Sequence, residues 1–524
     1  MKKYFNTTGV CKPEMHYIVN PLRGLKKKIY QLIENKQYFI IHASRQTGKT
    51  TLLHHLAEMI NKEGKYISVI FSVERAGYES ISVEDANKIF INSLYKASKN
   101  YLSKEFMPPE KEKYLSSNDT FYSYLYDYAR LQKKEIVLLI DEIDSLYGDV
   151  LISILRQLRD GFQNRPKLFP TSIALVGLRD IREYKEKVRD NERSIGSGSP
   201  FNINAESFRL ENFYKKEVFE LLQQHTNETG QMFPNSVKEK IYEYTSGQPW
   251  LINAMARNIV YNIYDNDYSK NITVKDVETA KENLIKRRDT HIDSLIDKLK
   301  NKRIKPIVQA IISGETLITD NFNDDYLYAK DLGIISNING RIKFANKIYA
   351  EIIPRILTYS YQMNMPEEVD IVWYIDEKGN IDMEALLKAY QKFYRRHSES
   401  WLELFSYKEA GQQLLLMAFL QRIINSGGKI DREMAIGSGR TDLEIHYNKQ
   451  IFILELKINR YSYIKEDGLE QLSRYLDKAG QKHGYLILFE PRNTTKKNWE
   501  ERIKWNKINY KYKNTEKLIT IVEM

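Results

Sequence analysis

Two groups of residues in this 524-residue chain have the types and spacing that phosphate chemistry requires. The first is the run Ala43-Ser44-Arg45-Gln46-Thr47-Gly48-Lys49-Thr50, with Thr51 after it. In a loop of this kind backbone N–H groups surround phosphate oxygens, the lysine ammonium reaches the outer phosphates, and the hydroxyl of Thr50 ligates Mg²⁺. The second group is Asp442, Glu455 and Lys457. Two carboxylates and an ammonium can hold Mg²⁺ or Mn²⁺, generate a nucleophilic water and neutralise the charge that develops on a phosphodiester.

The first group needs a strand before it and a helix behind it. Tyr38-Phe39-Ile40-Ile41 reads as a short buried strand, and Leu52, Leu53, Leu56 and Ile60 mark the apolar side of a helix that starts at Thr50. A further apolar run, Glu135 to Ile140, ends in Asp141-Glu142, as expected of a buried parallel strand with acids at its carboxyl end. There Asp141 is expected to hold Mg²⁺ through water and Glu142 to polarise an attacking water. The competing reading is an acidic strand end that caps the next helix. A third strand, Thr171 to Gly177, leads to Arg179, read either as a sensor of the terminal phosphate or as a surface salt-bridge partner. Thr245-Ser246-Gly247-Gln248-Pro249-Trp250 opens another helix, with Leu251, Ile252, Met255 and Ile259 along it.

With these motifs, residues 1–295 resemble the AAA-like P-loop ATPases whose sequences begin with a His-Tyr segment, here His16-Tyr17-Ile18-Val19, and carry an Arg-Gln-x-Gly-Lys-Thr loop, here Arg45 to Thr50. The resemblance implies an α/β fold with a parallel-sheet core over 1–210 and a helical lid over 211–295, the lid bearing the glycine-x-proline turn at Gly247 to Pro249. It implies ATP and Mg²⁺ as ligands. His16 and Tyr17 are then candidates for the base, Arg45, Gln46, Thr47, Gly48, Lys49, Thr50 and Thr51 for the phosphates, and Asp141, Arg179 and Pro249 for the remainder of the site. The first glycine of the usual loop is replaced by Ala43. No arginine finger stands out, so hydrolysis within one chain and hydrolysis between subunits of a homo-oligomer both stay open.

Residues 296–365 read as a winged helix: amphipathic helices at Ile304 to Ile312 and Tyr326 to Leu332, then a hairpin flanking Asn337 to Gly340, then a helix around Ile348 to Arg355. Lys286, Arg287, Arg288, Lys302 and Arg303 nearby allow DNA contact, and packing against the lid is the equal alternative. Pro366-Glu367-Glu368 marks a linker to a last domain, 366–524.

In that domain Arg440 to His446 and Ile451 to Lys457 are strand-like runs around a turn at Asn448-Lys449. A hairpin centred there pairs residues whose numbers sum to 897, which sets Asp442 opposite Glu455, with Cβ atoms about 4.5–5.5 Å apart. Alternation puts Lys457 on their face and Leu443, Ile445, Phe452, Leu454 and Leu456 on the other. Two like charges so placed repel unless a cation lies between them. A preceding helix, Lys408 to Ile424, carries Glu409, and a following one places Gln471 and Tyr475 on one side. This order of elements is similar to the PD-(D/E)XK nuclease superfamily, in the branch related to recombination exonucleases, with Thr441 where the name-giving proline stands. The resemblance implies a restriction-endonuclease-like α/β domain in which Glu409, Asp442 and Glu455 ligate metal, Lys457 is the catalytic lysine, and Gln471 and Tyr475 support it. An acidic hairpin with Lys457 in a surface salt bridge is the structural alternative. Beyond it, Lys496 to Lys513 interleaves lysines with Trp499, Trp505, Tyr510 and Tyr512; this tail either stacks on bases or, the reading preferred here, covers the sheet.

Composition bounds these readings. With 42% hydrophobic and 28% charged residues the chain is globular, and its length suits three or four domains. A net charge of +11 favours a polyanionic partner, DNA before RNA, although a lysine-rich proteome produces the same excess. The single cysteine, Cys11, excludes an internal disulfide and a cysteine-based zinc site. The N-terminus lacks the apolar core of a secretory signal and no run of about 18 apolar residues occurs, so a cytoplasmic protein without membrane contact is expected. The resulting expectation is an ATP-hydrolysing protein whose nuclease domain cuts DNA under nucleotide control, a pairing suited to mobile-element control or phage defence. The alternative is a regulatory or signalling ATPase whose C-terminal domain binds nucleic acid without cutting it.

Overall fold

The computed structural model describes residues 2–78, 80–115, 120–179, 204–287, 290–312, 323–338, 340–362, 374–376, 378–404, 411–425, 429–431, 443–447, 449–459, 462–490 and 498–524. The chain divides into two compact units, Met1–His291 with Phe322–Ile334, and Ile292–Asn321 with Ile335–Met524.

The first unit is built on a five-stranded parallel sheet: β1 (Tyr38–His42), β2 (Tyr66–Ser72), β3 (Glu135–Asp141), β4 (Ser172–Gly177) and β5 (Asn204–Arg209), in the order β2-β3-β4-β1-β5. β1, β3 and β4 are buried along nearly their whole length, which is why their sequences are continuous apolar runs rather than alternating ones. Their side chains feed two apolar clusters, one per face: Ile40, Leu138 and Leu175 join one, and Phe39, Leu139 and Val176 the other. Parallel strands gather their carboxyl ends at one edge, where β1 runs into Ala43 and β3 ends on Asp141. Helix α1 (Lys49–Glu63) starts directly after Gly48, whose φ of +95° a side chain would oppose.

Two helices of the region expected to form a lid follow, α2 (Lys215–Thr229) and α3 (Pro249–Arg257). Pro249 opens α3, where a missing N–H costs nothing, and the Gln248 side chain caps it by accepting from the Leu251 N–H at 2.6 Å. Gly247 has φ +77°, and a Cβ on it would lie 2.0 Å from the Phe213 carbonyl oxygen. The same unit includes α4 (Asp324–Asp331), the second of the helices expected in the winged helix. Its Asp331 carboxylate stands 3.4 Å from His42 Nδ1 at the end of β1 and 3.7 Å from Arg209 Nε at the end of β5. The expected helix Ile304–Ile312 and the hairpin β6 (Ile335–Ile338) and β7 (Arg341–Phe344) are present but fall in the second unit, so the predicted winged helix is divided between the two.

The second unit carries a six-stranded mixed sheet of β8 (Lys429–Asp431), β9 (Leu443–Tyr447), β10 (Gln450–Ile458), β11 (His483–Phe489), β12 (Lys504–Tyr512) and β13 (Thr515–Glu523), ordered β12-β13-β11-β10-β9-β8. β9 and β10 pair antiparallel from Leu443 with Leu454 to Tyr447 with Gln450, every pair summing to 897 as the sequence predicts. Helix α5 (Gly411–Asn425) corresponds to the expected helix before the hairpin. Helix α6 (Ile464–Lys478) packs on one face of the sheet, where Leu469, Leu472 and Leu476 meet Ile453, Leu486 and Ile521. Leu443, Ile445, Leu454 and Leu456 are buried. In the tail, Trp499 packs edge-on to Tyr394 and Lys388 lies over the Trp505 ring, so both indoles are engaged within this unit. Among the described residues no helix is long and apolar enough to cross a membrane.

Candidate functional site

At the carboxyl edge of the parallel sheet the loop from Ala43 to Gly48 turns from β1 into α1. Lys49 Nζ donates back across it to the carbonyls of Ala43 at 2.7 Å and Ser44 at 3.0 Å. Burial pulls the Lys49 ammonium down to about 8, against the attraction of Asp144 and Asp141. The next residue donates its hydroxyl across the sheet edge, from Thr50 Oγ1 to Asp141 Oδ2 at 2.8 Å. Burial raises the Asp141 carboxyl above its ordinary value, with Thr50 and Lys49 opposing. Two hard oxygen donors in contact beside a phosphate-shaped loop fit Mg²⁺.

Glu142 follows with φ +61°, a conformation that costs a side-chain-bearing residue. Ser72, at the end of β2, donates to Glu142 Oε2 at 2.5 Å. Burial raises the Glu142 carboxyl, and the Ser72 bond partly offsets this. Ser72 was not singled out from the sequence; a hydroxyl ending an apolar strand next to the acid-bearing one was the available signal. Arg179 lies with its guanidinium 4.9 Å from the centre of the Tyr328 ring of α4.

A cavity of about 340 Å³ opens beside the loop. Gln46, Thr47, Gly48 and Thr51 line it on the phosphate side, and Tyr17, Ile18, Val19, Leu221 and Pro249 elsewhere. His16 is not among its lining residues; its Nδ1 accepts from the Lys12 N–H at 2.8 Å and its ring packs edge-on to Tyr4. Arg45 is exposed, and neither it nor Arg179 lines the cavity. Several lining residues were given no site role by the sequence. Arg23 donates to the carbonyls of Thr47 at 3.1 Å and Glu211 at 2.8 Å, and burial lowers it to about 10. Trp250 donates its indole N–H to the Thr7 carbonyl at 2.9 Å and stacks on His291, which in turn meets the Gln46 amide at 2.5 Å. The loop, helices α2 and α3 and the N-terminal segment thus meet around one cavity.

A family model for an AAA-like domain matches residues 14–353, well over half of the chain. This chain belongs to the AAA-like domain family. Its phosphate-binding loop is therefore that of a P-loop nucleotide-binding fold, as the motif and the parallel sheet indicate. Among solved structures, the Walker-type ATPase PABY2304 of Pyrococcus abyssi is similar at 17% identity with a TM-score of 0.47, covering 67% of this chain and 99% of that one. The RuvB Holliday junction branch migration motor of Thermotoga maritima is similar at 15% identity and a TM-score of 0.34, covering 63% and 94%. Cdc6p of Pyrobaculum aerophilum is similar at 13% identity and a TM-score of 0.36, covering 68% and 97%. No curated protein matches the chain. Residues 388–492 match a domain of unknown function, DUF8371.

Within that second region the hairpin and α6 build a separate polar cluster. Glu455 is 1% exposed, and its Oε1 lies 3.2 Å from Lys457 Nζ. The same ammonium donates to Gln471 Oε1 at 3.0 Å and stands 3.3 Å from Asp467 Oδ2, which also accepts from Gln471 Nε2 at 2.8 Å. Gly468 lets α6 come this close, since a Cβ there would lie 2.8 Å from Leu486 Cδ1 and 3.3 Å from Lys457 Cγ. Tyr475 is buried in the apolar cluster with Ile453 and Leu472. Glu444, on the same strand face as Glu455 by alternation, is buried and pairs with His446 at 2.7 Å. Asp442 and Glu409 lie outside the described residues. Among the described residues no group of three or more His, Cys, Asp and Glu side chains is arranged to hold a metal ion.

Proposed function

We propose that the chain binds and hydrolyses ATP at the loop of Ala43 to Thr51 and cuts DNA with its C-terminal domain under nucleotide control. In the ATP site, Lys49 releases the two loop carbonyls and turns its desolvated charge on the outer phosphates. Thr50 and Asp141 would hold Mg²⁺, which would neutralise phosphate charge. Glu142, with a raised carboxyl, accepts a proton from the attacking water, and Ser72 fixes the carboxylate that does so. Arg179 serves as the sensor of the terminal phosphate once it leaves the Tyr328 ring.

In the second site, Glu409, Asp442 and Glu455 would hold the metal, Mg²⁺ or Mn²⁺, which would supply an activated water and neutralise charge on the phosphodiester. Lys457 donates to the developing negative charge, and Gln471 holds it from the helix side, with Tyr475 packing beneath. The observation that carries this reading is the fully buried Glu455 beside a lysine gripped by Gln471, on a hairpin paired from Tyr447 with Gln450 to Leu443 with Leu454. A surface salt bridge has no reason to bury its carboxylate, because exposed pairs contribute only about 0–1 kcal/mol. The net charge of +11 supports DNA as the polyanion.

Cleavage of linear and supercoiled DNA by wild type and Asp442→Ala, with Mg²⁺ and with or without ATP, tests the reading. Loss of cleavage in the variant supports a nuclease. Absence of cleavage by both proteins, with DNA retained in chelator, turns the second domain into a binding platform.

A further inference from the structure

Asn253 is the one polar residue on an otherwise apolar stretch of α3, between Ile252 and Ala254, and it is 8% exposed. Packing alone gives no reason for an amide there. Its Nδ2 donates to the Pro249 carbonyl at 2.8 Å, one turn back. That bond fixes the amide, because a carbonyl takes only a donor, and it leaves Oδ1 as the free end. Asn253 lines the cavity, and its Oδ1 is buried without a hydrogen-bond partner among the described residues. Buried acceptors of this kind are rare because each forfeits its bond to water unless something else supplies a donor.

The cavity defines what can supply it. One side is the loop at Gln46, Thr47 and Gly48, which takes phosphates, and Ile18, Val19 and Leu221 offer apolar surface to a base. A nucleoside between them carries donors of two kinds, an exocyclic amino group and ribose hydroxyls. We propose that Asn253 Oδ1 accepts a hydrogen bond from the bound nucleoside, from the adenine amino group or a ribose hydroxyl, and so determines which nucleotide the site takes. The inference rests on the nucleotide reading of the cavity. It makes the lid a reader of the nucleoside as well as a cover, since Asn253 moves with the turn that Gly247 and Pro249 form.

Binding to the full-length protein, measured by titration calorimetry, tests this with ATP, inosine triphosphate, 2′-deoxy-ATP and 3′-deoxy-ATP against wild type, Asn253→Leu and Lys49→Ala. One hydrogen bond is worth about tenfold in affinity at most sites. Wild type is expected to bind ATP about tenfold more tightly than one of the three analogues. A deficit for inosine triphosphate assigns the amino group, and a deficit for either deoxy analogue assigns a hydroxyl. In Asn253→Leu the deficit disappears, because ATP falls to the level of the analogue. Because the comparison is a ratio within one protein, partial destabilisation of the variant does not mimic it. Equal binding of all four nucleotides by wild type, or an unchanged ratio in Asn253→Leu, overturns the proposal while the nucleotide site stands. Equal ATP binding by wild type and Lys49→Ala overturns the nucleotide reading itself, and this inference with it.

Discussion

Lys49 is the residue whose environment speaks most directly about ligand binding. Folded, its ammonium is lowered by burial from 10.5 to about 8, so between these values the folded protein holds fewer protons than the unfolded chain, and this group's contribution to stability rises with pH there. A bound triphosphate reverses the cause by placing negative charge against Nζ. ATP affinity is therefore predicted to be flat below pH 8 and to fall above it, by up to about tenfold per unit, with proton uptake on binding. Calorimetry in buffers of different ionisation enthalpy reads that proton; its absence at pH 8.5 to 9.5 contradicts the assignment. Glu142 gives the acid side. Its carboxyl is raised by burial and lowered by Ser72, so Ser72→Ala removes the opposing influence and raises it further. The proposed reaction needs this carboxylate ionised, hence the acid limb of the pH profile of ATP turnover should move to higher pH in Ser72→Ala. A variant that merely loses activity at every pH, with the limb unmoved, assigns Ser72 a packing role instead.

Elements decide which of these residues meet. The lid turn tolerates no side chain at Gly247: φ is +77° and a Cβ falls 2.0 Å from the Phe213 carbonyl oxygen. Gly247→Ala should cost roughly 2–4 kcal/mol, a drop of about 5–10 °C in Tm, together with weaker ATP binding. Thermal unfolding with and without ATP checks both, and an unchanged Tm shows that the turn can re-form. On the second sheet, α6 supplies Asp467 and Gln471 one turn apart, and both hold Lys457. Asp467→Ala should leave the fold intact and loosen the lysine, reducing DNA cleavage about tenfold, whereas Asp467→Asn retains more because its amide oxygen can still accept. Much of this was legible in the sequence. The hairpin register followed from a two-residue turn and strict alternation, and the loop and acid-ended strand declared themselves as continuous apolar runs with charged ends. Asp467 was not legible, because its position four residues before Gln471 matters only once α6 is seen lying over β10. The same holds for α4: nothing in its sequence tells that Asp331 meets His42 and Arg209 at the ends of β1 and β5, which ties this helix to the first unit. Arg23 and Trp250 reach the cavity from segments distant in sequence, and no local pattern marks such contacts.

At the scale of the whole molecule the excess charge and the proposed second phosphate site set the tests. If lysines and arginines neutralise about six phosphates, DNA affinity should fall by roughly 10³ between 50 and 200 mM salt, measured in chelator so that binding is read apart from cutting. A shallow salt dependence removes DNA as the partner that the +11 charge implies. Nucleotide control of cleavage makes a stricter demand, because coupling between two ligands is reciprocal in free energy. Whatever factor ATP adds to DNA affinity, DNA must add to ATP affinity. The two measurements are independent: DNA binding with and without ATP, and ATP binding with and without a DNA duplex, in Asp442→Ala with Mg²⁺ so that the duplex stays whole. Equal factors of about fivefold or more are expected, and both should vanish in Asp442→Ala combined with Lys49→Ala, since the loop lysine is what lets the first site respond to the outer phosphates. Factors of one in both directions mean that the sites share a chain without sharing free energy. Control would then have to act on the rate of the cutting step, which wild type and Lys49→Ala, compared at saturating DNA and ATP, report directly.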